Sequence, residues 1–466
     1  MKRILTFRKK IILCILCIYS LFLICILILP KFNIPAKSVD CSTYSRNVNY
    51  VESKLLNETE LNFLKFLNKY YSAEEFIKTG SWFPVPNDGY IYSSYFDYCP
   101  NFLQHVGKLC IKCIGFAKVD SIKSKPLNCT FNASSYNIGS GVIEVQLIPE
   151  SHDKAYSAVN LFCVMKEFSH DKFQPDYVAI LSSSDKSLWV PVKSLLSNEA
   201  SKNQRINLCV RPLYGMIPFI RLVEFFTYYS VMGVDHFTIY HHNTSNPMQL
   251  FFKFLMNTNM SIDFLSWDIP ASNDLIHEFG QLIFTQDCIT QSKNRFTHTI
   301  LVDFDEMVVP QNHHNIKALL QFLDEENPNA ASYVIPMSLF CEEYFLEKDP
   351  TTFFHILDHN KRQKSSWQHT FRSKYIVRPE RILVGGVHFV WQHEYIWSDV
   401  FVSDSLALLN HYRSCCGVQQ TWFLHLFSFD VLTDTIIADN HLIQHKNAIL
   451  NHKLMRSFLS RVMLLK

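Results

Sequence analysis

Asp303 and Asp305, separated by Phe304 in the stretch His298–Pro310, are the side chains of this sequence best suited to chemistry. In an extended chain residues i and i+2 point to one side. The spacing therefore puts both carboxylates on one face and returns Phe304 to the core. Two convergent carboxylates suit a hard divalent cation, Mn²⁺ or Mg²⁺, which prefers oxygen ligands. A cation held there would neutralise a departing diphosphate. Asp-x-Asp alone is also what a polar strand end looks like, so its context decides. Glu306 is expected on the other face, in a structural hydrogen bond. For a third protein ligand, His411 and His388 compete. Arg295 suits a phosphate because a guanidinium matches phosphate oxygens, and suits a helix end equally well. Lys374, Arg378 and Arg381 read as a solvated charged strand rather than a phosphate clamp. A general base is sought among Glu342, Glu343 and Asp287.

The elements that must position these groups follow from periodicity. Thr299–Val302 is a short apolar, β-branched run, as in a buried strand. Upstream, Leu208–Val210, His236–His242 and Ile262–Trp267 read as strands. Between them lie helical spacings at Phe219–Met232, stopped by Gly233, and at Gln249–Met256. A third, long helix is expected from Asp274 to Lys293, capped by Ser272 or Asn273. This alternation predicts an α/β fold with a mostly parallel sheet over residues 206–466. Ligands of such sheets bind beyond the carboxyl ends of the strands. Tyr240, Asn243, Trp267 and Asp268 are therefore expected in a nucleotide cleft, along with Asp303, and the sequon at Asn243 is expected to stay unglycosylated.

Before that region, residues 82–205 carry short strand-like runs separated by turn residues, a β-rich accessory domain and linker. Residues 30–81 read as a stem with a helical stretch. Ile11–Leu29 is uncharged and long enough to cross a bilayer core of roughly 30 Å. Lys2, Arg3, Arg8, Lys9 and Lys10 precede it, so residues 1–10 are expected in the cytosol and the rest in a lumen. Of 14 cysteines, Cys14, Cys17 and Cys25 sit in that run. The remainder is an odd number in an oxidising compartment, so disulfides are expected and at least one thiol stays free or pairs between two copies. Cys110-x-x-Cys113 is expected to form disulfides with other partners rather than bind zinc. The formal charge of +2 comes without a basic face, which excludes a nucleic-acid surface.

Several ordered motifs resemble glycosyltransferase family 92. They are Arg221-Leu222-Val223-Glu224-Phe225, Met232–Tyr240, Asp287-Cys288, Val302–Glu306, Lys374–Glu380, Gly386-Val387-His388 and Asn410-His411-Tyr412-Arg413. The resemblance covers about Leu208–Arg413. It implies a GT-A fold, a divalent metal and a nucleotide-sugar donor. It further implies a type II single-pass Golgi membrane protein transferring a hexose, such as galactose from UDP-galactose with inversion, to a glycan acceptor. A histidine after a short apolar run near the domain end is common among GT-A enzymes, and His411 fits that description better than His388. Phe340–Tyr344 departs from the glycine-containing pattern of the family. A catalytically silent, membrane-anchored glycan-binding protein is the alternative. A metal-dependent hydrolase is disfavoured, since no His-rich two-metal motif occurs.

Overall fold

The computed structural model describes residues 58 and 61–463, except 73–79, 101–102, 104–107, 123, 125, 134–136, 166–173, 183–187, 197–203, 346–353, 416–418, 423–426 and 431–434. The run Ile11–Leu29 and its basic flank lie outside the described residues. Among the described residues no helix is long and apolar enough to cross a membrane.

The helix at residues 61–70 (α1) is not part of a stem. Phe63 and Leu67 are fully buried, and Phe63 packs edge-on against Phe219, Phe254 and Phe458. Its i, i+4 spacing makes the apolar stripe that joins it to the α/β region.

Residues 83–194 form the strands β1 (Phe83–Val85), β2 (Gly89–Tyr98), β3 (Leu109–Lys118), β4 (Asn128–Ala133), β5 (Asn137–Leu147), β6 (Tyr156–Met165), β7 (Tyr177–Leu181) and β8 (Val190–Ser194). They close into a ring in the order β2-β3-β6-β5-β4-β7-β8 and back to β2. The β-rich segment is thus a seven-stranded barrel, a closure that leaves the ring no free edge. Neighbours are antiparallel except β8 and β2, which are parallel. An odd ring cannot alternate all the way round, so one such pair is unavoidable. Disulfides Cys99–Cys110 and Cys129–Cys163 staple the barrel. Cys113 is a free thiol in its core, where burial pushes its pKa up to about 12.

The α/β region begins with β9 (Ile206–Gly215), α2 (Phe219–Val231), β10 (His236–Thr244), α3 (Asn246–Met256), β11 (Ile262–Ser266), α4 (Gln281–Ser292) and β12 (His298–Val302). It continues through β13 (Glu306–Pro310), α5 (Ile316–Glu326), β14 (Ala330–Ile335), β15 (Met337–Cys341), β16 (Lys361–Gln363) and β17 (Lys374–Val377). Then come β18 (Ile382–Gly385), β19 (Val390–His393), β20 (Ser398–Phe401), β21 (Ala407–Arg413), α6 (Lys446–Asn451) and α7 (Lys453–Met463). The main sheet has the order β11-β10-β9-β12-β17-β14-β20 and is mostly parallel, with β17 antiparallel to both neighbours. The strand order reverses between β9 and β12, so the ligand crevice is expected beyond their carboxyl ends. A smaller sheet, β13-β21-β15, flanks that point.

The long helix expected from Asp274 is shorter. Glu278, Phe279 and Gly280 take φ of +42°, +51° and +80°, and α4 starts only at Gln281. Asn273 does not cap the helix; its side chain accepts the Phe279 N–H. Gly233, at φ +92°, does end α2 as expected.

Candidate functional site

The Asp-x-Asp sits in a turn between β12 and β13, and the strands belong to different sheets. The extended-chain expectation fails here: the turn sends the two carboxylates to different partners. Asp303 Oδ2 is 3.2 Å from the Lys374 ammonium, and its Oδ1 is 3.7 Å from Arg211 Nε. Asp305 Oδ2 is 3.1 Å from His411 Nε2. Phe304 does turn inward, against Phe225. Glu306 Oε2 accepts the Asp303 backbone N–H at 2.7 Å, the structural bond expected of it.

Sheet register explains the Asp305–His411 meeting. Glu306 pairs with His411 across β13 and β21, and the Tyr412 N–H donates to the Asp305 carbonyl at 2.9 Å. Burial opposes ionisation of Asp303, yet Lys374 and Arg211 hold its carboxyl below the usual range. Burial likewise opposes charge on Asp305, and His411 nonetheless holds it well below that range. Burial disfavours the charged His411 ring, but Asp305 more than compensates and raises its pKa. Glu306, desolvated and close to Asp303, is pushed up to about 7 despite Lys374.

A cation roughly 2.0–2.2 Å from each of two ligands at right angles leaves those ligands about 3 Å apart. Asp305 Oδ2 and His411 Nε2 have that separation, and their O and N donors suit Mn²⁺. These two residues fit a divalent ion. Asp303 is already occupied by its own cations. His388 is anchored elsewhere: burial lowers its pKa to about 4, and Nδ1–H donates to the Ser373 carbonyl at 3.0 Å.

A cavity of about 350 Å³ opens on Asp305. Arg211, Tyr214, Arg221, His355 and Tyr412 help to line it. Behind two of these lining residues, Glu342 Oε1 lies 3.3 Å from Arg221 Nη2 and 3.4 Å from His355 Nε2. The loop carrying His355 is held by Glu224, whose buried carboxyl group accepts the N–H groups of His355, Ile356 and Leu357 at 2.9, 3.1 and 3.3 Å.

The other two base candidates are structural. Asp287 is buried on α4 and accepts from Ser93 Oγ, Tyr95 Oη and Tyr240 Oη at 2.5, 2.7 and 2.5 Å. It locks the barrel to the sheet. Glu343 accepts Ser414 Oγ–H and the Cys415 N–H beside the Cys341–Cys415 disulfide. Among the described residues, Cys341, Glu343 and Cys415 also bring three potential ligand atoms together, but the sulfurs are bonded to each other.

The expected nucleotide contacts divide. Tyr240 and Trp267 are fully buried; the Trp267 indole N–H donates to the Phe279 carbonyl. Both are packing residues between sheet and barrel. Asn243 and Asp268 are exposed at the strand ends, joined by the Asn243 N–H to Asp268 Oδ1 at 3.3 Å. Arg295 is at the opposite, amino end of the sheet, paired with Asp263 at 3.5 Å on a separate cavity of about 770 Å³. Lys374 is buried rather than solvated, Arg378 pairs with Asp324, and Arg381 donates to the Pro328 and Ala330 carbonyls. Sequence reasoning missed Arg211, although it follows Leu208-Cys209-Val210 as Asp303 follows Ile300-Leu301-Val302. No sequence signal pointed to His355.

The sequence model of glycosyltransferase family 92 matches residues 204–452, more than half of the chain. The chain belongs to glycosyltransferase family 92. It is a glycosyltransferase, and the site lies inside the matched region. No curated protein matches it. Among solved structures, HddC from Yersinia pseudotuberculosis is similar at 8% identity and a TM-score of 0.22, covering 49% of this chain and 94% of that one. S. aureus TarS 1–349 is similar at 11% identity and 0.23, covering 56% and 73%. A UDP-glucose pyrophosphorylase is similar at 8% and 0.22, covering 53% and 98%.

Proposed function

We propose that this family 92 enzyme transfers a hexosyl group, galactose from UDP-galactose, to a glycan hydroxyl with inversion, using Mn²⁺ or Mg²⁺. The observation that carries the reading is the Asp305–His411 pair under the cavity, beside the β9/β12 switch point. Asp305 and His411 would hold the ion, which when bound supplies charge to neutralise the leaving diphosphate. Arg211, at the end of β9, offers a second cation to phosphate oxygens. Glu342 takes the proton of the acceptor hydroxyl as the new C1–O bond forms and the bond to phosphate breaks. Arg221 and His355 hold the carboxylate for that task. Asn243 and Asp268 face the nucleotide from the neighbouring strand ends.

The same reading anchors the protein in the Golgi membrane through Ile11–Leu29 as a single-pass type II protein. In sealed microsomes a C-terminal tag should then resist protease until detergent is added. On the lumenal side, Cys41 and Cys416, which lie outside the described residues, are the candidates for a disulfide-linked dimer, since Cys113 is buried.

A donor screen across UDP- and GDP-sugars with Mn²⁺ tests the chemistry. UDP-galactose should turn over fastest. Glycan binding with no donor turnover under any metal would replace the reading with that of a silent binding protein.

A further inference from the structure

The barrel loop between β5 and β6 presses on the catalytic half. Glu150, His152 and Asp153 have φ of +68°, +52° and +57°, a left-handed region that costs non-glycine residues energy. Glu150 Oε2 accepts two hydrogen bonds, from the Val387 N–H at 3.0 Å and the Trp391 indole N–H at 2.8 Å. Both donors belong to the β18–β19 hairpin. The His152 ring stacks on His277 with centroids 3.7 Å apart, and the Tyr156 N–H donates to the Leu275 carbonyl at 3.0 Å.

Both contacts lead to Asp303. In the hairpin, His388 follows Val387 and is bonded twice to Ser373. Its Nδ1–H donates to the Ser373 carbonyl, and Ser373 Oγ–H donates to the His388 carbonyl at 2.9 Å. Lys374 follows Ser373 and pairs with Asp303. In the turn, Glu278 follows His277 and pairs with Arg211 at 3.4 Å, and Arg211 reaches Asp303. The two cations around Asp303 are thus tied by separate routes to one barrel loop.

We propose that Glu150 is a positioning residue for glycosyl transfer: through the hairpin it sets Lys374 beside Asp303. The barrel is then part of the catalytic machinery rather than an appended module. Only the kinetic readout rests on the proposed transfer reaction.

The test compares Glu150→Ala and Glu150→Gln in the full chain. A glutamine oxygen can accept both donors, whereas alanine can accept neither. Hydrogen exchange should quicken several-fold in Glu150→Ala at residues 386–391 and on at Ser373–Lys374, and stay near wild type in Glu150→Gln. Donor kcat/KM should fall roughly tenfold in Glu150→Ala, the low end for loss of an orienting partner, and recover in Glu150→Gln. Unchanged exchange, or faster exchange confined to 386–391, would overturn the proposal. So would normal kcat/KM in Glu150→Ala. A wild type without donor turnover would sink the transfer reading while exchange at Ser373–Lys374 still decides this one.

Discussion

The buried Lys374 ammonium lies 3.2 Å from the Asp303 carboxylate, so the first aspartate of the Asp-x-Asp is already neutralised within the fold. The second, Asp305, faces the cavity, and its Oδ2 lies 3.1 Å from the buried His411 Nε2. The two aspartates of one motif are therefore placed differently: Asp303 is paired inside the turn, and Asp305 opens on the cavity.

Asp303→Asn is expected to destabilise the protein by about 3 kcal/mol, because it leaves a buried ammonium with only the weaker Glu306 contact at 3.8 Å. A double variant, Asp303→Asn with Lys374→Met, should recover much of that loss. Urea denaturation of the two single variants and the double variant measures the coupling. A fully stable Asp303→Asn would contradict the ion-pair assignment.

Asp305→Asn and His411→Ala should each lower donor turnover by about a hundredfold or more, since a bound metal contributes several kcal/mol at the transition state. EDTA should abolish wild-type turnover, and Mn²⁺ should restore it. Full activity in EDTA would exclude metal dependence.

Asp287→Asn should cost stability and spare chemistry. An amide cannot accept from Ser93, Tyr95 and Tyr240 as the carboxylate does, and a buried donor left unpaired costs about 1–3 kcal/mol. Turnover per folded molecule should stay within a fewfold of wild type. A thousandfold loss with an intact melting curve would restore Asp287 as a base.

Glu224 gives a pH dependence of stability. Burial pushes its pKa up to about 8 from an ordinary 4.5, even though three backbone N–H groups favour the anion. Between those values the folded state binds a proton that the unfolded state does not. This contribution is therefore complete below pH 4.5 and declines by up to about 1.4 kcal/mol per pH unit as pH rises to 8. The stability gap between wild type and Glu224→Gln, followed by denaturation from pH 5 to 8, should narrow accordingly. A constant gap would show that Glu224 is ionised throughout.

The sequence by itself determined the α/β region, its strand and helix order as far as Val302, and the Asp-x-Asp at the end of a buried strand. These follow from local periodicity: Ile300, Leu301 and Val302 need a dry strand wherever they fall. It also pointed to the β-rich character of residues 82–205. Only the tertiary structure decided what each carboxylate pairs with. Asp287, Glu342 and Glu343 look alike along the chain, yet Tyr95 of the barrel, Arg221 of α2 and Cys415 after β21 give them different environments. The partners lie 192, 121 and 72 positions away, beyond any periodic signal. Closure of the barrel likewise depends on β8 returning to β2, a pairing set by register and twist rather than composition.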